Sequence, residues 1–160
     1  MDILEFAMQM EKDGEEYYRG LAQKVDDTGL KNILTMLADD EVKHYQTIEK
    51  MKAARPRLAQ TKVLSKAKNI FARMKGQGVE ADFGGGQIEL YKKAQEIEKK
   101  SEEFYTDNAG KMKQDYQKEL FLALAEEEKK HYFLLGNIIE FVSRPLTWVE
   151  NAEFNHLDEY

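Results

Sequence analysis

The chain has 160 residues and a net charge of −6, from 24 Lys and Arg residues against 30 Asp and Glu residues, and it contains no cysteine. This length suits one hydrophobic core, so we expect a single domain. The acidic balance argues against nucleic acid as a partner. Without cysteine the chain can form no disulfide, no iron–sulfur cluster and no thiolate site for zinc or rubredoxin-type iron.

The amino-terminal stretch reaches acidic residues too early for a signal peptide, with Asp2 and Glu5 at its start. No apolar run approaches the roughly 18 residues that cross a bilayer. We therefore expect a cytoplasmic protein that has no membrane partner.

Four long segments have the periodicity of amphipathic helices. They run from Asp2 to about Val25, from about Gly29 to Pro56, from about Gly86 to Ala109 and from about Asp115 to Ser143. Short connections within each pair predict two antiparallel helical hairpins. The sequence therefore predicts an all-α fold, an antiparallel four-helix bundle over residues 1–143 that is followed by a short C-terminal segment, residues 144–160.

A long basic crossover, residues 52–86, connects the two hairpins. Its apolar residues share one face of a short predicted helix: Val63, Leu64, Ala67, Ile70, Phe71 and Met74. We interpret the crossover as a packed helix with a solvated basic face, and a docking patch for an acidic partner is the alternative.

The two hairpins repeat each other at one ungapped offset of 87 residues. Glu41 and His44 in "DDEVKHY" correspond to Glu128 and His131 in "EEEKKHY". The same offset relates the first helix to the third, which indicates duplicated hairpins about a pseudo-twofold axis.

Each helix carries a glutamate in the middle of its seam, the apolar stripe that faces the bundle interior. These residues are Glu11, Glu41, Glu98 and Glu128. Burying four carboxylates together is unfavourable by several kcal/mol each, and the seams offer no matching Lys or Arg. Two divalent cations would balance the charge. The alternative is a degenerate bundle that keeps the charges without metals.

Histidines three residues after two of these glutamates, His44 and His131, lie on the same helix faces and could each give an imidazole nitrogen to a metal. Tyr45 and Tyr132, one residue further round, are not expected to be ligands.

Tyr18 and Tyr105 lie on the seam one layer away from the glutamates. We expect them to donate hydrogen bonds to the carboxylates, with plain core packing as the alternative. Gly14 and Ser101, one turn from Glu11 and Glu98, are expected to leave space for water, oxygen or peroxide.

Four motifs, "MEKDGEEYY", "LADDEVKHY", "EIEKKSEEFY" and "LAEEEKKHY", resemble the rubrerythrin branch of the ferritin-like di-iron carboxylate proteins. One glutamate from each of two helices and Glu-x-x-His from each of the other two is the established ligand pattern of that class. The resemblance implies two iron ions per site, with manganese or zinc able to replace them. Glu11 and Glu98 would be terminal ligands, Glu41 and Glu128 would bridge, and His44 and His131 would complete the two ends.

The resemblance also implies a function: reduction of hydrogen peroxide or dioxygen at the di-iron centre, with electrons from a separate donor protein. Ser101 stands where rubrerythrins usually carry a further glutamate, which makes the site resemble that of bacterioferritin. A ferroxidase or iron-storage protein is therefore the alternative function, and a bundle with purely structural metals is a third.

The resemblance implies that the tail, residues 144–160, packs on the bundle, and His156 within it is interpreted as structural or solvent-facing. We expect a homodimer. Its sites could be built within one chain or, by exchange of hairpins, from two.

Overall fold

The computed structural model describes residues 2–76 and 87–143, and every regular element in these ranges is helical. The helices are α1 (Ile3–Lys24), α2 (Thr28–Met51), α3 (Val63–Gly76), α4 (Ile88–Ala109) and α5 (Asp115–Ser143). The predicted all-α bundle is confirmed. Within the described residues, no helix combines the length and the apolar composition that a membrane span requires.

The predicted end of the second helix is wrong by several residues, since α2 ends at Met51 and not near Pro56. A proline disfavours helical backbone in the residue before it, so the chain must leave the helix ahead of Pro56. It does so through a turn in which the N–H groups of Ala53 and Ala54 both donate to the Lys50 carbonyl.

Aspartate caps fix where the first hairpin's helices begin. The Asp2 side chain accepts the N–H of Glu5 at 2.8 Å, and the Asp27 side chain accepts the N–H of Leu30 at 2.9 Å. Each bond satisfies a backbone donor that the first turn of a helix leaves without a partner.

The bundle consists of the α1–α2 and α4–α5 hairpins, and α3 packs on α2 and α5. Five members of its predicted apolar stripe are buried, and Leu64 is partly buried. The Phe71 and Phe141 rings, 5.2 Å apart, join the crossover to α5. Residues 77–86 and the tail with His156 lie outside the described residues, so the domain boundaries stay a prediction.

The core is divided into two apolar clusters. One includes Leu21, Ile33, Phe71 and Leu134, and the other includes Ile48, Phe121 and Leu124. Between them lies a polar layer made of the seam glutamates and the two histidines. In every long helix this layer interrupts the stripe at mid-length; in α2, for example, Glu41 and His44 lie between Ala38 of one cluster and Ile48 of the other.

Candidate metal centre

The six predicted ligands meet in the polar layer and form two overlapping groups. Glu11, Glu41, His44 and Glu128 form one, and Glu41, Glu98, Glu128 and His131 form the other. In each group the possible ligand atoms all lie within 4.8 Å of one another, and all the residues are buried. Glu41 and Glu128 belong to both groups, which is the position expected of bridging carboxylates.

Both histidines turn Nδ1 towards two carboxylates. His44 Nδ1 lies 3.3 Å from Glu11 Oε2 and 3.0 Å from Glu128 Oε1. His131 Nδ1 lies 3.1 Å from Glu41 Oε1 and 3.2 Å from Glu98 Oε1. Adjacent ligand atoms of one ion bound at about 2.1 Å are about 3 Å apart, so these spacings fit two coordination shells.

Five oxygen and nitrogen atoms of the layer lie close to their neighbours but make no hydrogen bond of acceptable geometry within the described residues. They are Glu11 Oε2, Glu41 Oε1, His44 Nδ1, Glu98 Oε2 and Glu128 Oε1. Buried polar atoms are nearly always paired, because an unpaired one is unfavourable by about 1–3 kcal/mol. A donor set of carboxylate oxygens and imidazole nitrogens suits iron, manganese or zinc, so the residues fit a pair of divalent ions.

The two shared glutamates are held towards their neutral forms. Burial raises the pKa of Glu41 well above its ordinary value, and the carboxylates of Glu11, Glu128 and Glu98 raise it further. Burial and the Glu98 and Glu11 carboxylates likewise raise the pKa of Glu128. Without metal ions the layer therefore lowers its negative charge by taking up protons.

The histidines are held towards their charged forms. Burial acts to lower the pKa of His44, but attraction to the Glu11 carboxylate outweighs it and raises this pKa well above the ordinary value. Glu98 and Asp40 have the same net effect on the pKa of His131. Burial acts to raise the pKa of Glu11, yet His44 brings it below the ordinary value. Metal ions would replace these protons, so metal binding should release protons.

The two predicted tyrosines bind the terminal glutamates crosswise. The Tyr18 hydroxyl donates to Glu98 Oε1, and the Tyr105 hydroxyl donates to Glu11 Oε1. Burial and the nearby carboxylates raise the pKa of both hydroxyls well above 10, so both remain donors. Each bond crosses from one hairpin to the other and fixes one oxygen of a glutamate. In Glu11 the other oxygen, Oε2, is the one that faces His44 Nδ1, whereas Glu98 Oε1 contacts both the Tyr18 hydroxyl and His131 Nδ1.

The space predicted beside Gly14 is occupied by protein. A Cβ atom at this position would lie 2.7 Å from Glu41 Oε2. The expectation that Gly14 leaves room for water or an oxidant is therefore wrong, because the Glu41 carboxylate fills that room. Ser101 is buried, Tyr45 is partly buried and Tyr132 is exposed.

Two carboxylates that sequence reasoning missed hold the far sides of the histidine rings. Asp40 Oδ2 lies 2.9 Å from His131 Nε2, and Glu127 Oε1 lies 3.5 Å from His44 Nε2. A carboxylate at Nε2 directs Nδ1 towards a metal. The signal was available, since Asp40 and Glu127 are both acidic, are 87 residues apart and directly precede the shared glutamates.

The family model for rubrerythrin matches residues 2–139. The chain belongs to the rubrerythrin family. No curated protein and no solved structure matches it significantly. Membership of the rubrerythrin family implies a di-iron carboxylate site, and the buried cluster of glutamates and histidines could hold a metal.

Proposed function

We propose that this rubrerythrin-family protein is a non-haem di-iron oxidoreductase that reduces hydrogen peroxide or dioxygen. The observation that carries the proposal is the pair of overlapping ligand groups that share Glu41 and Glu128. In this arrangement Glu11 and His44 would complete one iron site, and Glu98 and His131 would complete the other. When bound, a pair of ferrous ions supplies two electrons, the number that converts one hydrogen peroxide and two protons into two waters.

The ligand count supports a reactive centre. Each ion would take one imidazole, one terminal carboxylate and an oxygen from each shared glutamate. That is fewer than the six ligands of an octahedral ion, and non-haem iron sites that activate oxygen keep positions open in this way.

Burial supports a small oxidant. The four glutamates and two histidines of the layer are at most 3% exposed, so a peptide, nucleotide or sugar could not reach them. Hydrogen peroxide and dioxygen are small enough to enter a packed bundle through its ordinary fluctuations. The surrounding apolar clusters would keep bulk water away from the reacting atoms.

Electrons would come from a separate protein. The sequence has no cysteine with which to bind rubredoxin-type iron or an iron–sulfur cluster. The donor would reduce the buried centre across the protein, without contact with the ligands themselves.

A ferroxidase is the second candidate, and Ser101 is the residue that favours it. Ser101 lies on the seam of α4, one turn after Glu98, and is buried. With serine at this position the two ligand groups have matching compositions, each with one histidine and one terminal glutamate. That symmetry suits an ion pair that is oxidised and then handed on.

We further propose a homodimer. The six ligands meet within one chain, and each hairpin provides three of them. Exchange of hairpins between two chains would build the same centre, so the swapped dimer remains the alternative arrangement. Light scattering on the purified protein would distinguish a dimer from the hollow shell that mineral storage requires.

The test is an anaerobic iron titration followed by a single oxidation. Ferrous iron is added until binding saturates, and then one equivalent of hydrogen peroxide or of dioxygen is mixed in while ferric absorbance is followed. We expect two irons per chain, faster oxidation by peroxide, and no further iron uptake. Tyr45→Phe, a change beside the ligands, should behave as the wild type.

Faster oxidation by dioxygen with continued iron uptake would replace the peroxidase with the ferroxidase. Failure to bind iron stoichiometrically would defeat both functions.

A further inference from the structure

Thr61, in the crossover just before α3, contacts both carboxylates that hold the histidines. Its hydroxyl donates to Asp40 Oδ2, and its backbone N–H donates to Glu127 Oε2 at 3.2 Å. Asp40 lies on α2 and Glu127 on α5, so one residue joins the two helices that carry the Glu-x-x-His motifs.

The Thr61 hydroxyl also accepts the N–H of Val63 at 3.1 Å, in the first turn of α3. Hydroxyl groups commonly bind a backbone N–H two residues on and so fix a turn. The start of α3 and the Asp40 carboxylate are therefore held by the same oxygen atom.

Asp40 needs such a restraint because it has an alternative environment. It lines a surface cavity of about 330 Å³ whose wall also includes Lys43, Lys62 and Lys66. An aspartate without its hydroxyl partner could turn towards these ammonium groups and water. His131 Nε2 would then lose the carboxylate that lies 2.9 Å away.

We propose that Thr61 is a positioning residue for the metal centre. It acts through Asp40 on the ring of His131, and thereby on the ion that His131 would bind. The inference rests on the proposed metal binding and adds that Thr61 affects the binding of one ion more than that of the other. The hydroxyl serves only the His131 end, because Glu127 at the His44 end is held by the backbone N–H, which every non-proline residue keeps.

The experiment compares Thr61→Val with Thr61→Ser by zinc titration of the full chain labelled with ¹⁵N-histidine. Valine keeps the shape of threonine but lacks the hydroxyl, and serine keeps the hydroxyl. The chain has three histidines, so the spectrum is sparse, and His44→Gln identifies the His44 signals. Ser65→Ala is the matched control, because among the described residues the Ser65 hydroxyl bonds the carbonyl of Lys62, at the start of α3, and neither carboxylate.

In Thr61→Val we expect zinc affinity at His131 to fall about tenfold to a hundredfold, with less than about a twofold change at His44. Thr61→Ser and Ser65→Ala should match the wild type. Equal losses at both histidines would indicate general destabilisation and overturn the proposal, as would no loss at either. If the wild type binds fewer than two zinc ions, the proposed metal centre fails together with this inference. Two bound ions with no selective loss would overturn the inference alone.

Discussion

The two apolar clusters and the polar layer between them are buried to a similar extent, yet they have opposite effects on the metal-free chain. Leu37 and Phe121 are fully buried and gain free energy from leaving water. Glu41 and Glu128 are nearly as buried and are held towards the protonated form by burial and by neighbouring carboxylates. The apolar clusters therefore stabilise the folded bundle, whereas the polar layer is unfavourable to bury without metal ions.

This comparison predicts that substitutions in the apolar clusters change stability and that substitutions in the polar layer change metal binding. A change in a cluster should lower stability whether or not metal is bound. A change at a shared glutamate should remove metal binding and leave the metal-free fold intact or more stable, because burying that carboxyl group beside other carboxylates is unfavourable.

The largest expected effect is on metal content. Glu41→Ala or Glu128→Ala removes a carboxylate that both ligand groups share, so binding of two ions should be lost in each variant. Elemental analysis after loading with iron or zinc measures this, and thermal unfolding of the metal-free variants should show a Tm no lower than that of the wild type. Full metal content in both variants would contradict the shared-ligand assignment.

Next in size is a cavity in an apolar cluster. Ile33 is fully buried, so Ile33→Ala should destabilise the protein by about 2–5 kcal/mol. Urea unfolding should show this loss with and without zinc, while zinc still binds. Leu122→Ala, at a side chain that is 51% exposed, is the control and should change stability by less than about 0.5 kcal/mol. A loss of zinc binding in Ile33→Ala would show that the regions are not separable.

The pH dependence of stability should reverse between the metal-free and metal-bound proteins. Folding raises the pKa of four residues: Glu41, Glu128, His44 and His131. The stability that these residues give is complete below the pKa values they have in the unfolded chain. It is lost as pH rises through the pKa values they have in the folded protein. Glu11 and Asp40 have lowered pKa values and act in the opposite sense. The stability that they give is lost as pH falls through their pKa values in the folded protein.

In the metal-free protein we therefore expect Tm to fall by at least a few degrees between about pH 5.5 and about pH 8.5, since 1 kcal/mol corresponds to about 2–4 °C. With zinc bound Tm should rise over the same range, because the ligands must lose protons to bind a metal. Calorimetry of both forms measures the two slopes. A metal-free protein that becomes more stable as pH rises would contradict the electrostatic account.

The smallest predicted effect separates helix stability from metal binding within α1. In Gly14→Ala the new methyl group would displace the Glu41 carboxylate, so metal affinity should fall about tenfold. Alanine is better than glycine inside a helix by about 1 kcal/mol, so the metal-free protein should be at least as stable. Gly20→Ala has open space for its Cβ and should gain stability without losing affinity. Equal affinities in the two variants would show that Gly14 does not make room for Glu41.

Seam periodicity and the 87-residue repeat predicted the bundle and brought out all six glutamates and histidines, because both signals are local to each helix. They could not predict which residues pair across helices. Asp40 lies four residues before His44, a spacing that suggests a bond within α2, but it contacts His131 of α5. Thr61 was missed for the same reason, since nothing in an irregular stretch shows where its hydroxyl will point.

Gly14 shows a second limit of sequence reasoning. A small residue on a seam indicates that something lies close to the helix, but it does not say whether that neighbour is a ligand or a side chain. Here it is the Glu41 carboxylate, whose reach across from α2 depends on the distance between two helices.

The most direct test of the central claim, that the polar layer is a two-ion centre, is anomalous diffraction at the iron edge from crystals loaded with ferrous iron. We expect two peaks about 3.5–4 Å apart, both in contact with Glu41 and Glu128, one beside His44 and the other beside His131. A single peak, or none between the shared glutamates, would contradict the claim.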